Sequence, residues 1–123
     1  MLLDSNIIIY AAQAEHTSLR QFIAEHAPAV SVISYIETLG YHRLSAEEQQ
    51  FLERFFQATE VLPVSDAVVQ WAVRLRQRRR MTLGDAIVAG TAVERGRVLV
   101  THNTEDFRWI SEINLLDPLT GRP

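Results

Sequence analysis

Short apolar runs punctuate this chain at MLL (1–3), AVSVI (29–33), EVLPV (60–64) and RVLVT (97–101), and longer segments with helical periodicity follow each of them. Runs this short and rich in β-branched residues suit buried strands rather than helices. Strands separated by helices must be joined by crossovers, which makes the strands parallel and puts helices on the faces of the sheet. The alternation therefore predicts an α/β chain with a mainly parallel sheet. No repeat, linker or low-complexity segment interrupts it, so residues 1–123 are expected to form one domain.

Local signals divide the helical segments. Helices are expected over 6–12 and 17–26, the second opened by Thr17 or Ser18 and broken by Pro28. Ser34 is expected to start a helix reaching about residue 42. Ser45 with Glu48 forms a capping box for a helix to about Ala58, in which Leu52, Phe55 and Phe56 recur at packing positions. The proline in EVLPV suggests an edge strand. Ser65 opens a long helix in which Val69, Ala72, Val73 and Arg76 track successive turns. Thr82 opens the next, which Gly96 ends. A helical turn at 104–108 and a last strand near 113–116 follow. In the helix after Thr82, Ala86 and Gly90 are small enough for close approach to the sheet.

Composition excludes several classes. The chain has no cysteine, so a disulfide framework or thiolate metal site is impossible and a reducing cytoplasm is the expected location. An acid stands where a signal peptide would be basic, and no apolar run approaches the ~20 residues of a membrane helix. The net charge of −3 argues against nucleic-acid binding by bulk electrostatics alone. Yet all twelve basic residues are arginine, and five crowd into RLRQRRR. Arg74, Arg78 and Arg80 in that segment are candidates for holding phosphate, against the simpler reading of a solvated helix end.

The acids carry the sharper signal. Asp4 ends the first strand, Glu37 falls in the expected first turn of the helix after the second, and Asp85 follows Thr82. Asn103 and Asp106 follow RVLVT. Helix capping alone explains any one of them: Ser34 with Glu37, Thr82 with Asp85 and Asn103 with Asp106 all have the spacing of a capping box. Asp4 can cap the helix behind it. Jointly, however, all lie at the carboxyl end of the expected sheet, where a parallel α/β fold forms its crevice. Carboxylates crowded together repel and raise one another's pKa unless a cation neutralises them. Oxygen-only ligands suit Mg²⁺ or Mn²⁺, and such ions support phosphodiester hydrolysis.

MLLDSNIIIY, VSVISYIETL, LGDAIVAGTA and LVTHNTEDF, in this order, resemble the four motifs of the PIN domain, and the resemblance spans essentially the whole chain. The nearest likeness is to the VapC-like toxins of bacterial type II toxin–antitoxin pairs. This resemblance implies a three-layer α/β/α fold around a sheet of four to five strands. It implies a Mg²⁺- or Mn²⁺-dependent endoribonuclease acting on transfer or ribosomal RNA, a homodimer, and inhibition by a cognate antitoxin seated partly on the Leu52–Phe56 region. By matching position, Asp4, Glu37 and Asp85 are the metal-site acids. Asn103 stands where many PIN domains have a fourth aspartate, which weakens a second metal, and Asp106 is the candidate replacement. Thr101 and Ser34 support the site.

His102 is placed to approach a substrate phosphate, although an exposed loop histidine is the commoner case. His16, His26 and His42 are expected at the surface, and Trp71 and Trp109 in packing or interfaces. Three other functions come into question. A flap-type DNA nuclease would need clamping elements for which the chain has no room. A receiver domain needs a lysine, and there is none. A catalytically weak PIN scaffold that binds RNA or protein is left open by Asn103.

Overall fold

A computed structural model describes all residues, Met1–Pro123. Five strands, β1 (Leu2–Leu3), β2 (Ala29–Ser31), β3 (Val61–Leu62), β4 (Leu99–Val100) and β5 (Leu115–Leu116), form one sheet in the order β3-β2-β1-β4-β5. Every pairing is parallel. Seven helices connect them: α1 (Ser5–Ala12), α2 (Thr17–His26), α3 (Val32–Leu39), α4 (Ala46–Gln57), α5 (Asp66–Arg78), α6 (Leu83–Arg95) and α7 (Thr104–Phe107).

The layering follows from the two-residue period of a strand. Leu2, Ala29 and Leu99 point to one face and pack with Leu75, Val88, Ala89, Ala92 and Phe107 from α5, α6 and α7. Their neighbours Leu3, Val30 and Val100 point to the other, against Ile7, Ile8, Leu19, Leu52, Phe55 and Phe56 from α1, α2 and α4. Both faces of the central strands are thus sealed, as a parallel sheet requires. The expected three-layer α/β/α fold is the one found, with five strands and with β3 at an edge. No helix is long and apolar enough to cross a membrane.

Several boundaries move. The run 29–33 gives only three strand residues, because Ser31, not Ser34, caps α3 by accepting from Ile33 N. The helix starts earlier than the sequence suggests and ends at Leu39, so Glu37 lies in its second turn rather than in a capping box. Asn103 precedes α7 but makes no side-chain cap bond. The helix α2 ends at His26 through Ala27, a non-glycine residue at φ 43°, immediately before buried Pro28. In α5 the packed residues are Val68, Ala72 and Leu75, while Val69 and Val73 face outward. Gly90 permits close approach to α5 rather than to the sheet: a Cβ there would stand 3.0 Å from Val68 O.

Candidate active site

The strand order reverses between β1 and β4. From β1 the chain departs into α1 on one face of the sheet, and from β4 into α7 on the other. Such a switch point leaves a crevice beyond the carboxyl ends of the two strands. Leu3 pairs with Val100, so the next residues, Asp4 and Thr101, stand side by side at its floor. Both are buried.

Asp4 has two roles. Its Oδ1 accepts from Ser5 N at 2.8 Å, capping α1 as the sequence suggests, and its Oδ2 accepts from Thr101 Oγ1 at 2.9 Å. Thr101 Oγ1 in turn accepts from Asn103 N at 3.0 Å and from Asn6 Nδ2 at 3.4 Å. The threonine hydroxyl therefore ties β1, β4, α1 and the loop after β4 together.

Glu37 reaches the crevice from α3. Ser5 Oγ lies 2.9 Å from both Glu37 Oε1 and Ser34 Oγ. A carboxylate only accepts, so the Ser5 proton serves Glu37 and Ser34 supplies the other bond. Buried Ser34 thus braces the site from inside α3 rather than capping it. From α6, Asp85 N donates to Thr82 Oγ1 at 3.1 Å, half of the expected capping box. Gly84, beside it, lies against Glu37: a Cβ built there would come 2.5 Å from Glu37 Oε2. With no side chain at Gly84, the Glu37 carboxylate can lie against the first turn of α6.

Electrostatics shows which acids sense one another. Burial pushes the Asp4 carboxyl up from 3.8 to about 6, and the charges of Asp85 and Glu37 push the same way against the bonds from Thr101 and Ser5. Asp85 is also raised, by burial first, then by Asp106 and Glu37, with Thr82 opposing. Among the neighbouring charges, that of exposed Asp106 on α7 raises Asp85 most. No three of these side chains stand closed up at ion-ligating spacing. They are separate arms lining one crevice, each with its own supports.

None of the four acids has a cationic partner. The ion pairs of the molecule are Arg78–Glu112, Arg97–Glu60 and Arg108–Glu105, and His102 is hydrogen-bonded to Asp117. Beside the acids, Asn6 Oδ1 is buried with no hydrogen-bond partner. An oxygen left so costs about 1–3 kcal/mol. Uncompensated carboxylates and an orphaned amide oxygen are oxygen donors of the kind that a hard divalent cation takes.

Arg78 pairs with Glu112 at 2.9 Å, Arg74 lies over Trp71 and Arg79 over Trp109, while Arg80 is exposed between α5 and α6. Both tryptophans are half-buried, and His26 and His42 are exposed. Sequence reasoning passes over Ser5, Asn6 and Asp117. The first two were legible as the polar pair directly after Asp4, whereas Asp117 is recognised only once β5 is paired with β4.

A search of curated proteins finds no match. Solved structures do match. A chain of a toxin–antitoxin complex from Klebsiella pneumoniae is 26% identical with a TM-score of 0.75, covering 95% of this chain and 96% of its own. The DNA-bound VapBC from Salmonella typhimurium is 24% identical with a TM-score of 0.83 over 95% and 96%. VapBC2 from Rickettsia felis, bound to a promoter DNA fragment, is 23% identical with a TM-score of 0.79 over 93% and 95%. The last two establish likeness of fold. A model of the PIN domain matches residues 1–112, a span that runs from β1 through α7 and contains every acid of the crevice. On that match, the chain belongs to the PIN domain family.

Proposed function

We propose that this protein is a Mg²⁺- or Mn²⁺-dependent endoribonuclease, the toxin of a VapBC-like pair, acting on transfer or ribosomal RNA in the cytoplasm. PIN domains are nucleases that generally use divalent metals. The observation that carries the reading is the convergence of Asp4, Glu37 and Asp85 at the switch point without any cation to balance them.

Asp4, Glu37 and Asp85 would hold the ion, with Asp106 and Asn103 on the far side. Such an ion, when bound, helps ionise a water and stabilises charge on the phosphodiester. The protein's part is positional. Thr101 fixes the rotamer of Asp4, and Ser5, backed by Ser34, fixes that of Glu37. Gly84 sets the distance between α6 and α3. Asn103 brings no charge, which favours one tightly held ion over two.

Two surfaces support the partners that the family likeness suggests. A groove of about 260 Å³ beside Glu37, lined by Ile9, Ala12, Tyr41, Leu44 and Leu52, suits an apolar segment of an antitoxin. Of the Leu52, Phe55 and Phe56 trio, only Leu52 reaches this groove. On α5 and α6, Val69, Val73 and Leu83 are 47%, 51% and 58% exposed around a second apolar hollow, a face suited to a homodimer.

The test is cleavage of RNA with Mg²⁺ or Mn²⁺, with EDTA and Asp85→Asn as controls. Loss of cleavage in both controls is expected. Undiminished cleavage by Asp85→Asn overturns the site, and RNA binding without cleavage by the wild type favours a scaffold.

A further inference from the structure

His102 is the first side chain beyond the crevice floor, and its ring is held from two sides. Nδ1 lies 2.9 Å from Asp117 Oδ2. Asp117 is buried, and its other oxygen accepts from Leu119 N at 3.0 Å. The edge of the ring packs against Tyr10, with centroids 5.9 Å apart, and Tyr10 packs against His16 at 5.5 Å. Since the carboxylate of Asp117 only accepts, Nδ1 carries the hydrogen bond's proton and Nε2 is the free ring nitrogen. The His102 side chain is nonetheless 40% exposed. The ring is thus fixed and partly exposed, and its Nε2 has no partner within the protein.

Its place relative to the acids is set by α1. Asn6, which touches Thr101, and Tyr10, which touches His102, share one face of that helix. Tyr10 lies six residues beyond Asp4, or about 9 Å along the axis. His102 therefore flanks the acid crevice rather than entering it.

We propose that His102 is a substrate-binding residue for the nucleotide adjoining the cut, with Nε2 accepting a hydrogen bond from a ribose 2′-hydroxyl of single-stranded RNA. Asp117 and Tyr10 position the ring. The proposal rests on the nuclease reading for its substrate, but it is tested by binding alone.

The experiment measures affinity for a labelled unpaired RNA of about 10 nucleotides, and for DNA of the same sequence, in EDTA so that no cleavage intervenes. His102→Ala removes both ring nitrogens and is expected to weaken RNA binding about three- to tenfold, the loss of one hydrogen bond. The Gln side chain places its amide near Nε2, whereas that of Asn places it near Nδ1. His102→Gln is therefore expected to recover affinity, and His102→Asn to keep the Asp117 contact and the wild-type Tm without recovering it. The effect is expected to be confined to RNA, and an equal effect on DNA, which lacks the 2′-hydroxyl, overturns the proposal. Rescue by Asn but not Gln, wild-type affinity in His102→Ala, or no RNA binding by the wild type overturns the proposal. The nuclease reading stands or falls separately, on cleavage by wild type and Asp85→Asn.

Discussion

Thr101 Oγ1 donates to Asp4 Oδ2 at 2.9 Å, and this one bond joins the carboxyl ends of β1 and β4 at the place where the strand order reverses. The same oxygen accepts from Asn103 N and Asn6 Nδ2. Thr101→Val keeps the shape but leaves these donors without their acceptor. A loss of about 1–3 kcal/mol in urea unfolding is expected. The Asp4 pKa should also rise further, because the Thr101 bond is what most opposes its elevation. An NMR titration of the Asp4 carboxyl checks this.

Stability should depend on pH through Asp4. Its carboxyl titrates at about 6 in the folded chain against 3.8 ordinarily, so between these values the folded state holds a proton that the unfolded state has released. Folding stability therefore falls as pH rises through that window and levels off above it. The displacement corresponds to at most about 3 kcal/mol. Asp4→Asn keeps a capping oxygen without the charge. In metal-free buffer it should match wild type near pH 4 and exceed it at pH 7, measured by urea unfolding. A flat profile in wild type would refute this.

Divalent metal should reverse that penalty. If Mg²⁺ or Mn²⁺ binds the ionised acids, it raises the wild-type Tm, and raises it more at pH 7.5 than at pH 5, where Asp4 is largely protonated. Asp4→Asn and Asp85→Asn should show little of this gain. Calorimetry with and without EDTA gives the answer, and equal gains in all three proteins would count against the site.

Gly84→Ala should separate stability from activity. The new Cβ meets only the far end of the Glu37 side chain, which can swing away. Alanine is better by up to about 1 kcal/mol in a helix, so Tm should hold or rise. Glu37 would be displaced from Ser5, and RNA cleavage should fall at least about tenfold, the cost of a misplaced group in a positioned site. A variant both destabilised and fully active would refute this geometry.

The arginine segment should act through charge. Arg74, Arg78 and Arg80 are exposed, and Arg78 is tied only to surface Glu112. Replacing all three by Ala should leave Tm nearly unchanged. It should flatten the salt dependence of RNA affinity by up to about 2 in log–log slope if they meet phosphates. An unchanged slope would assign them to the solvated end of α5.

Much of this protein is written locally. Short apolar runs between helical segments point to a parallel sheet covered by helices, because such strands must bury both faces; the three-layer arrangement comes from the likeness of the four motifs to the PIN domain. The caps at Asp4, Ser45, Ser65 and Thr82 depend on side chains within three residues of the backbone they serve, so they too are legible. The start of α3 is less so, because Ser31 and Ser34 are both competent caps. The choice fell to the pairing of β2 with its neighbours, which ends the strand at Ser31. Candidate acids can be picked from the sequence by their place after strands. Their coupling cannot, because it depends on α6 approaching α3 at Gly84 and on hydroxyls reaching across elements: Ser5 to Glu37, and Thr101 to Asp4. His102 is the clearest case. Sequence offers an ordinary loop histidine, and only the pairing of β5 beside β4 brings Asp117, fifteen residues away, to hold its ring.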